Sequence, residues 1–405
     1  MQNHSSCLPV VLILLLTSCV QPGKSIVEEV NYVDAPVGKN SSLPYLFSNG
    51  EKVFMSWVEN SGDTLTSLQY AEMKEGKWQA SREILQGDDW FVNWADFPMI
   101  TENNGNLLSH VLKKSAAGTY SYDVKLNVLP ATSTKWETDM PLHTDGTPTE
   151  HGFVSAVPYK DSSFFVTWLD GRNTLEKEDG SRGAMTVRAA LVSAMGEVSM
   201  DTILDNRTCD CCQTTAAITR NGPIVIYRDR SEEEIRDMSI VRQVAGKWTA
   251  PKTIYQDNWL IKGCPVNGPK VASLGNNLAV AWFTAAADVP KVNLVFSKDG
   301  GEHFGSPIPV DEGNAIGRVD VLLLDANTAI VSWMESKDSG AQLKALKIAS
   351  TGKKSDYKII AQMDGSRKTG FPQMELVKDK VYFAWTDIAK GTSAIKIAYV
   401  LVEQF

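Results

Sequence analysis

The sequence predicts an all-β protein, a seven-bladed β-propeller built from four-stranded antiparallel blades. Three observations carry that expectation. One phrase recurs seven times at nearly constant spacing, the residues around each copy alternate as four successive strands, and a spare strand near the start matches one missing at the end.

The phrase is a short apolar strand, a turn rich in Asn, Gly, Asp or Lys, a second apolar strand that mostly ends in an aromatic residue, and a polar loop. The second strands read Val53-Phe-Met-Ser-Trp57, Leu107-Leu-Ser-His110, Phe164-Phe-Val-Thr-Trp168, Ile224-Val-Ile-Tyr227, Leu278-Ala-Val-Ala-Trp282, Ala329-Ile-Val-Ser-Trp333 and Val381-Tyr-Phe-Ala-Trp385. Their final residues are 53, 58, 59, 55, 51 and 52 positions apart. Alternating third strands follow, as in Ser67–Glu72, Met185–Ala190 and Val292–Phe296, and then fourth strands such as Lys252–Tyr255 and Tyr357–Ile360. A lone blade cannot bury both faces, so blades pack side by side around an axis. The seventh unit reaches Phe405 after its third strand, Ala394–Val400, while Ile26–Val33 reads as an unassigned strand. That segment is expected to complete the last blade and remove an open edge.

Gly and Pro are spread evenly, so residues 26–405 are expected to form one domain, as a monomer. A net charge of −8 opposes binding to nucleic acid. The start of the chain is a targeting segment. The apolar run Leu8–Leu16 is too short to span a bilayer, and Leu16-Thr17-Ser18-Cys19 resembles the bacterial lipobox. The resemblance implies a signal peptide at 1–18, a lipidated Cys19 and a tether at 19–25, which anchor the protein in the cell envelope; Val20 favours the outer membrane. Gly23-Lys-Ser25 lacks the rest of a phosphate-loop pattern.

Ser297-Lys-Asp299-Gly-Gly301-Glu-His-Phe304 resembles the Asp box (BNR repeat) of sialidases and related propellers. Its chemistry is structural: Asp299 accepts backbone N–H bonds, Gly301 permits a positive φ, and Phe304 plugs between strands. The resemblance implies a sialidase-like propeller; a six-bladed ring of the sialidase type or a packed sandwich are the alternatives to seven blades.

Strand direction alternates within a blade, so the loop entering strand one and the loop leaving strand two share a front face, and the Asp box falls on the back. The front face collects Asp96, His151, Cys209, Cys211, Cys212, Cys264, Arg318 and Arg367 from entry loops. Second-to-third loops add His110, Asp170, Arg172, Arg228, Asp229, Arg230, Arg236, Glu335 and Asp387. Loops near the axis are where several blades converge on a ligand. Arg228, Arg230 and Arg236, with interleaved acids, suit a carboxylate or sulfate; equally they suit a self-neutralising loop. Asp96, His151 and Arg172 join them as candidate ligand-binding residues.

The sialidase resemblance implies three arginines on the substrate carboxylate, a tyrosine–glutamate nucleophile pair and an acid/base aspartate. No Arg-Ile-Pro motif precedes Trp57, and Tyr227 is the nearest tyrosine candidate. Asp170 with Asp229 is a possible catalytic pair for another glycoside hydrolysis.

Four cysteines lie beyond Cys19, all in entry loops of adjacent units. Export favours a disulfide, with Cys209–Cys211, Cys209–Cys212 or Cys211–Cys212 as the short-range bond and Cys264 taking the remaining partner. The alternative is a thiolate site for Cu(I) or Zn(II), with His151 or His110 nearby. Three functions follow in order: an envelope-displayed propeller binding a small anionic or carbohydrate ligand without a required cofactor, a glycoside hydrolase, and a copper, zinc or redox protein.

Overall fold

A computed structural model describes residues 30–62 and 65–405, together with Gln2; the signal, Cys19 and the tether fall outside the described residues. Seven antiparallel sheets account for nearly all of the described chain. Blade one consists of Ser41–Ser48, Val53–Ser61, Leu65–Lys74 and Arg82–Gly87, and blade two of Ile100–Asn103, Asn106–Lys114, Tyr122–Leu129 and Glu137–Pro141. Blade three holds His151–Tyr159, Ser163–Asp170, Thr186–Val192 and Val198–Asp205; blade four holds Thr215–Thr219, Gly222–Arg228, Met238–Val244 and Lys252–Tyr255. Blades five and six run over Lys270–Pro309 and Ala315–Met363. All seven anticipated phrases are second strands of blades.

Blade seven takes three strands from the end of the chain, Gln373–Val377, Lys380–Ala389 and Thr392–Leu401, and its fourth from the beginning. Asn31–Val33 pairs antiparallel with the last strand, Asn31 opposite Tyr399 and Val33 opposite Ile397. The ring is closed as the sequence requires, and the count is seven, not six.

Apolar side chains of the strands fill the wedges between neighbouring blades. Trp57, Trp168, Trp282 and Trp333 are fully buried there. A buried indole must place its N–H on an acceptor. Trp57, Trp168 and Trp333 each find it two residues on, at Glu59 (2.7 Å), Asp170 (2.9 Å) and Glu335 (2.9 Å). Trp282 donates instead to Asp257, from the end of the preceding blade. The acids at the ends of these second strands are therefore first of all acceptors for the wedge tryptophans.

The turn at residues 297–304 makes the contacts expected of its residues. Asp299 accepts from the His303 N–H (2.9 Å) and the Ser297 hydroxyl (2.8 Å), and Gly301 has φ +84. Phe304 packs against the wedge between blades four and five. The innermost strands of six blades and the entry loop of blade two line an axial cavity of about 400 Å³, whose polar lining includes Tyr45, Asp96, Lys270, Asp320 and Glu375. Burial pushes the Asp320 and Glu375 carboxyls above their ordinary range.

Candidate functional site

Beside the axis on the front face, loops of blades one to five and seven enclose a cleft of about 270 Å³. Phe91, Trp94 and Tyr120 wall it with aromatic surface; Asp96, Tyr122, Glu150, Asp210 and Arg367 supply polar groups; Cys211, Cys264 and Val266 complete it.

Three of these residues form a hydrogen-bonded chain. The Tyr122 hydroxyl donates to Glu150 Oε1 at 2.7 Å and lies 3.3 Å from Asp96 Oδ2. The Tyr122 hydroxyl therefore stands between the two carboxyls and links them. Tyr122 opens the third strand of blade two, where Phe91 stacks on its ring at 4.3 Å and Thr149 O accepts its backbone N–H. Glu150 is the last residue of the loop entering blade three, held by Gly171 N donating to its carbonyl.

Asp96 is seated by backbone. Phe153 N donates to its Oδ1 at 2.7 Å, from a residue held at φ 53. A side chain at position 152 would stand 2.0 Å from Asp96 Oδ2 and 3.1 Å from the Tyr122 ring, so Gly152 is required for the chain to form. A left-handed non-glycine beside an obligatory glycine is local strain concentrated at this one place.

The electrostatics separate the two acids from ordinary carboxylates. Burial, reinforced by the charge of Glu150 and opposed by the Phe153 N–H, raises Asp96 to about 8. Burial, with repulsion from Asp210 and Cys209 and against the Tyr122 hydrogen bond, raises Glu150 to about 7. Near neutral pH Asp96 is protonated, so its O–H can donate to the Tyr122 oxygen while Tyr122 donates to Glu150. Asp96 and Tyr122 are buried; Glu150 is the member that retains exposed surface.

The other anticipated residues sit close by and are differently engaged. Asp170 is fully buried, accepting from Arg172 Nε (2.7 Å) and Nη2 (2.6 Å) as well as from Trp168. Asp229 accepts from Arg230 N and the Ser239 hydroxyl, and among the described residues the two aspartates have no hydrogen-bond partner in common. His151 lies below the cleft. It stacks on His143 at 3.9 Å, its Nδ1 faces the carbonyls of Tyr122 and Thr149, and Nε2 is 3.4 Å from Asp145 and 3.8 Å from Asp170. Asp123, His143 and His151, or Asp145, His151 and Asp170, are close enough to hold an ion, but these histidines cluster apart from the cysteines. His110 is buried in blade two, where desolvation lowers it to about 3.

The arginine-rich loop and the cysteine turn do meet on the front face. Arg228 is buried and donates to the carbonyls of Asn267, Phe283 and Arg236, with its guanidinium over Trp259. Arg230 bridges Asp210 (2.8 Å) and Glu234 (2.7 Å), and Arg236 pairs with Glu234 and donates to Cys209 Sγ. The guanidiniums anticipated as a ligand clamp are thus satisfied internally, because interleaved acids lie within reach of the same short loop. Arg367 is the arginine that lines the cleft.

Cys209, Cys211, Cys212 and Cys264 are all free thiols, and the expected disulfide is not formed in this structure. Cys209 Sγ is 3.1 Å from Cys212 Sγ and 3.8 Å from Cys211 Sγ. Burial opposes ionisation of Cys209, but thiol hydrogen bonds from its neighbours and the charge of Arg228 outweigh it and hold that thiol well below its ordinary range.

No family model matches the chain, and no curated protein does. Solved structures do resemble it. A polysaccharide lyase aligns at 10% identity over 92% of this chain and 91% of its own, with a TM-score of 0.52. An alpha-L-arabinofuranosidase from Fusarium graminearum gives 13%, 93%, 94% and 0.49 for the same quantities. The NanB sialidase of Streptococcus pneumoniae gives 10%, 90%, 69% and 0.45. At these identities the likeness is one of fold. The chain is a seven-bladed β-propeller, a fold it shares with the polysaccharide lyase.

Proposed function

We propose that the front-face cleft binds a carbohydrate and cleaves a glycosidic bond, with Glu150 as the proton-transfer group. The observation that carries this reading is the chain Asp96–Tyr122–Glu150 at the base of an aromatic-walled cleft. A carboxyl tuned close to neutral pH is suited to giving and taking a proton at a leaving oxygen. Tyr122 holds Glu150 in place, and protonated Asp96 holds Tyr122. Tyr120, largely exposed, offers a flat apolar face of the kind that stacks against a sugar ring, while Phe91 and Trp94 are themselves stacked on Tyr122 and Phe371 and form the wall behind it.

The substrate class follows from the cationic groups. A sialoside carboxylate held by three guanidiniums is not favoured, since the arginine lining the cleft is Arg367. Neutral or singly charged sugars, uronates included, suit it better. Binding without cleavage is the second reading, favoured by the burial of Asp96 and Tyr122, which leaves Glu150 as the reachable member. A lipid at Cys19 would display either activity on the cell envelope.

The test is a panel of fluorogenic glycosides and uronate-containing polysaccharides assayed with the native chain, Glu150→Gln and Tyr122→Phe. Loss of about 10²–10⁴-fold in kcat for Glu150→Gln, with a smaller loss for Tyr122→Phe, is expected. Binding by calorimetry without turnover in any member selects the second reading. Turnover that survives Glu150→Gln rejects the first.

A further inference from the structure

A second chemistry stands on the wall of the same cleft. The turn Cys209-Asp-Cys211-Cys212 brings three sulfurs to within 4.8 Å of one another. It is fixed from several sides. Cys209 N donates to Arg228 O (3.0 Å), the Gln213 side chain donates to Ala95 O and accepts from Gly268 N, and a side chain at position 268 would collide with the Gln213 backbone at 2.2 Å. Such locking holds the sulfurs in one arrangement whether or not anything is bound to them.

The surroundings are prepared for negative charge on sulfur. Arg236, almost fully buried, donates Nη1 to Cys209 Sγ at 3.2 Å. Arg228, equally buried, gives its hydrogen bonds to backbone carbonyls, which carry no formal charge to offset its own. A buried cation without a carboxylate is costly unless anionic groups lie near. Asp257 is one such group, and Cys209 of the sulfur-rich turn is a second neighbour of its charge.

We infer that Cys209, Cys211 and Cys212 form a thiolate site for a soft d10 metal ion, Cu(I) or Zn(II), open toward the cleft on the side of Cys211 and Cys264. Three clustered thiolates with no histidine or water-exposed carboxylate in the set select soft ions over hard ones. Sulfurs around one such ion sit on the order of 3.7–4 Å apart, given metal–sulfur bonds of about 2.3 Å. The Cys209–Cys211 pair, at 3.8 Å, lies at that spacing; Cys209–Cys212, at 3.1 Å, is closer and would open as both sulfurs take the ion. Three sulfurs suffice for monovalent copper. Zinc prefers a fourth ligand, and Cys264, exposed on the cleft wall beside Cys211, is placed to supply it. The site does not depend on the glycan reading, because Glu150, Tyr122 and Asp96 are not in it.

The experiment uses the full chain, reduced with a non-thiol reductant under anaerobic conditions. It is titrated with Cu(I) and, separately, with Zn(II), each against a chromophoric competing chelator, and metal is counted after desalting. One ion per chain is expected. Cys211→Ser, a change at a partly exposed position, should weaken binding by on the order of a hundredfold or more while the thermal midpoint of the metal-free chain stays unchanged. Cys264→Ser should weaken zinc and spare copper; equal weakening of both would still assign the metal to this cluster with four ligands. Binding no tighter than in the variant with all four cysteines changed to serine would overturn the site. So would a Cys209–Cys212 disulfide, found by peptide mapping of protein isolated from its native compartment, that persists and blocks metal uptake.

Discussion

Asp96 shows how far one buried acid can couple a site to the stability of its fold. Its proton is held in the folded state up to about pH 8, whereas an unfolded aspartate loses it near the ordinary value of 3.8. Between those limits the folded chain binds the extra proton, so stability falls as pH rises, by up to about 1.4 kcal/mol per unit for one group. Asp96→Asn reproduces the neutral form and keeps an oxygen for the Phe153 N–H. Denaturant melts of the variant between pH 5 and 8 should therefore lose much of that slope, and an unchanged slope would show that Asp96 is ionised throughout. Residual slope is expected from Glu150, Asp320 and Glu375, whose burial acts in the same direction. The sequence made Asp96 legible, because its loop enters a blade on the front face. It left Tyr122 and Glu150 unread. Glu150 stands between Thr149 and His151 in a front-face segment where the histidine drew attention, and Tyr122 follows a second-to-third loop on the same face. The topology places both residues, but nothing local in either segment points to a partner 28 positions away in the chain. Tyr227, which looked nearer to the role, gives its hydroxyl to Asp205.

Within a blade, the second strand and its tryptophan organise the wedge, and the acid two residues later completes it. Trp168 and Asp170 are both fully buried, and Arg172 closes the carboxylate from the other side. Burial raises the Asp170 carboxyl, but hydrogen bonds from Arg172 and Trp168 and the charges around it outweigh that and hold it below its ordinary range. An amide in its place removes the charge opposite the Arg172 guanidinium and turns one of the two acceptor oxygens into an NH2 that faces N–H donors. Asp170→Asn should destabilise the chain by about 2–4 kcal/mol. The loss should shrink in acid, where the native carboxylate is itself titrated; a midpoint within experimental error of the parent would contradict this account. The same element shows why the sequence overstated Asp170 as a catalytic candidate. Trp-Leu-Asp, Trp-Val-Glu and Trp-Met-Glu recur in three blades, and an acid repeated with the architecture serves the architecture. The arginines misled for a related reason. Spacing reveals that Arg228, Arg230 and Arg236 share a loop with acids, but only coordinates reveal which way each guanidinium turns.

At the scale of the whole ring, closure rests on a short seam. Asn31–Val33 covers the outer edge of Thr392–Leu401 through three paired residues. Deleting the chain through Val33 should cost about 2 kcal/mol or more and expose a strand edge able to pair with another molecule. The checks are a lowered denaturation midpoint and concentration-dependent association in sedimentation; a stable, monomeric truncation would mean that packing between blades closes the ring without the seam. Periodicity made this architecture readable from end to end, since seven copies of a phrase leave little freedom in how they assemble. The cleft was not readable in the same way, because it is lined by residues drawn from six loops far apart in the chain, each in a segment with its own structural reason to be polar.

The direction of that seam strand fixes an orientation. The turn at Lys390–Gly391 lies on the cleft side, and Thr392–Leu401 runs away from it. Asn31–Val33 runs antiparallel to that strand, so residue 30 emerges at the outer rim on the far side of the disc. A tether arriving at residue 30 would meet the molecule on its underside. An attachment to a surface there would leave the opening between Glu150 and the sulfurs turned outward, toward whatever diffuses past.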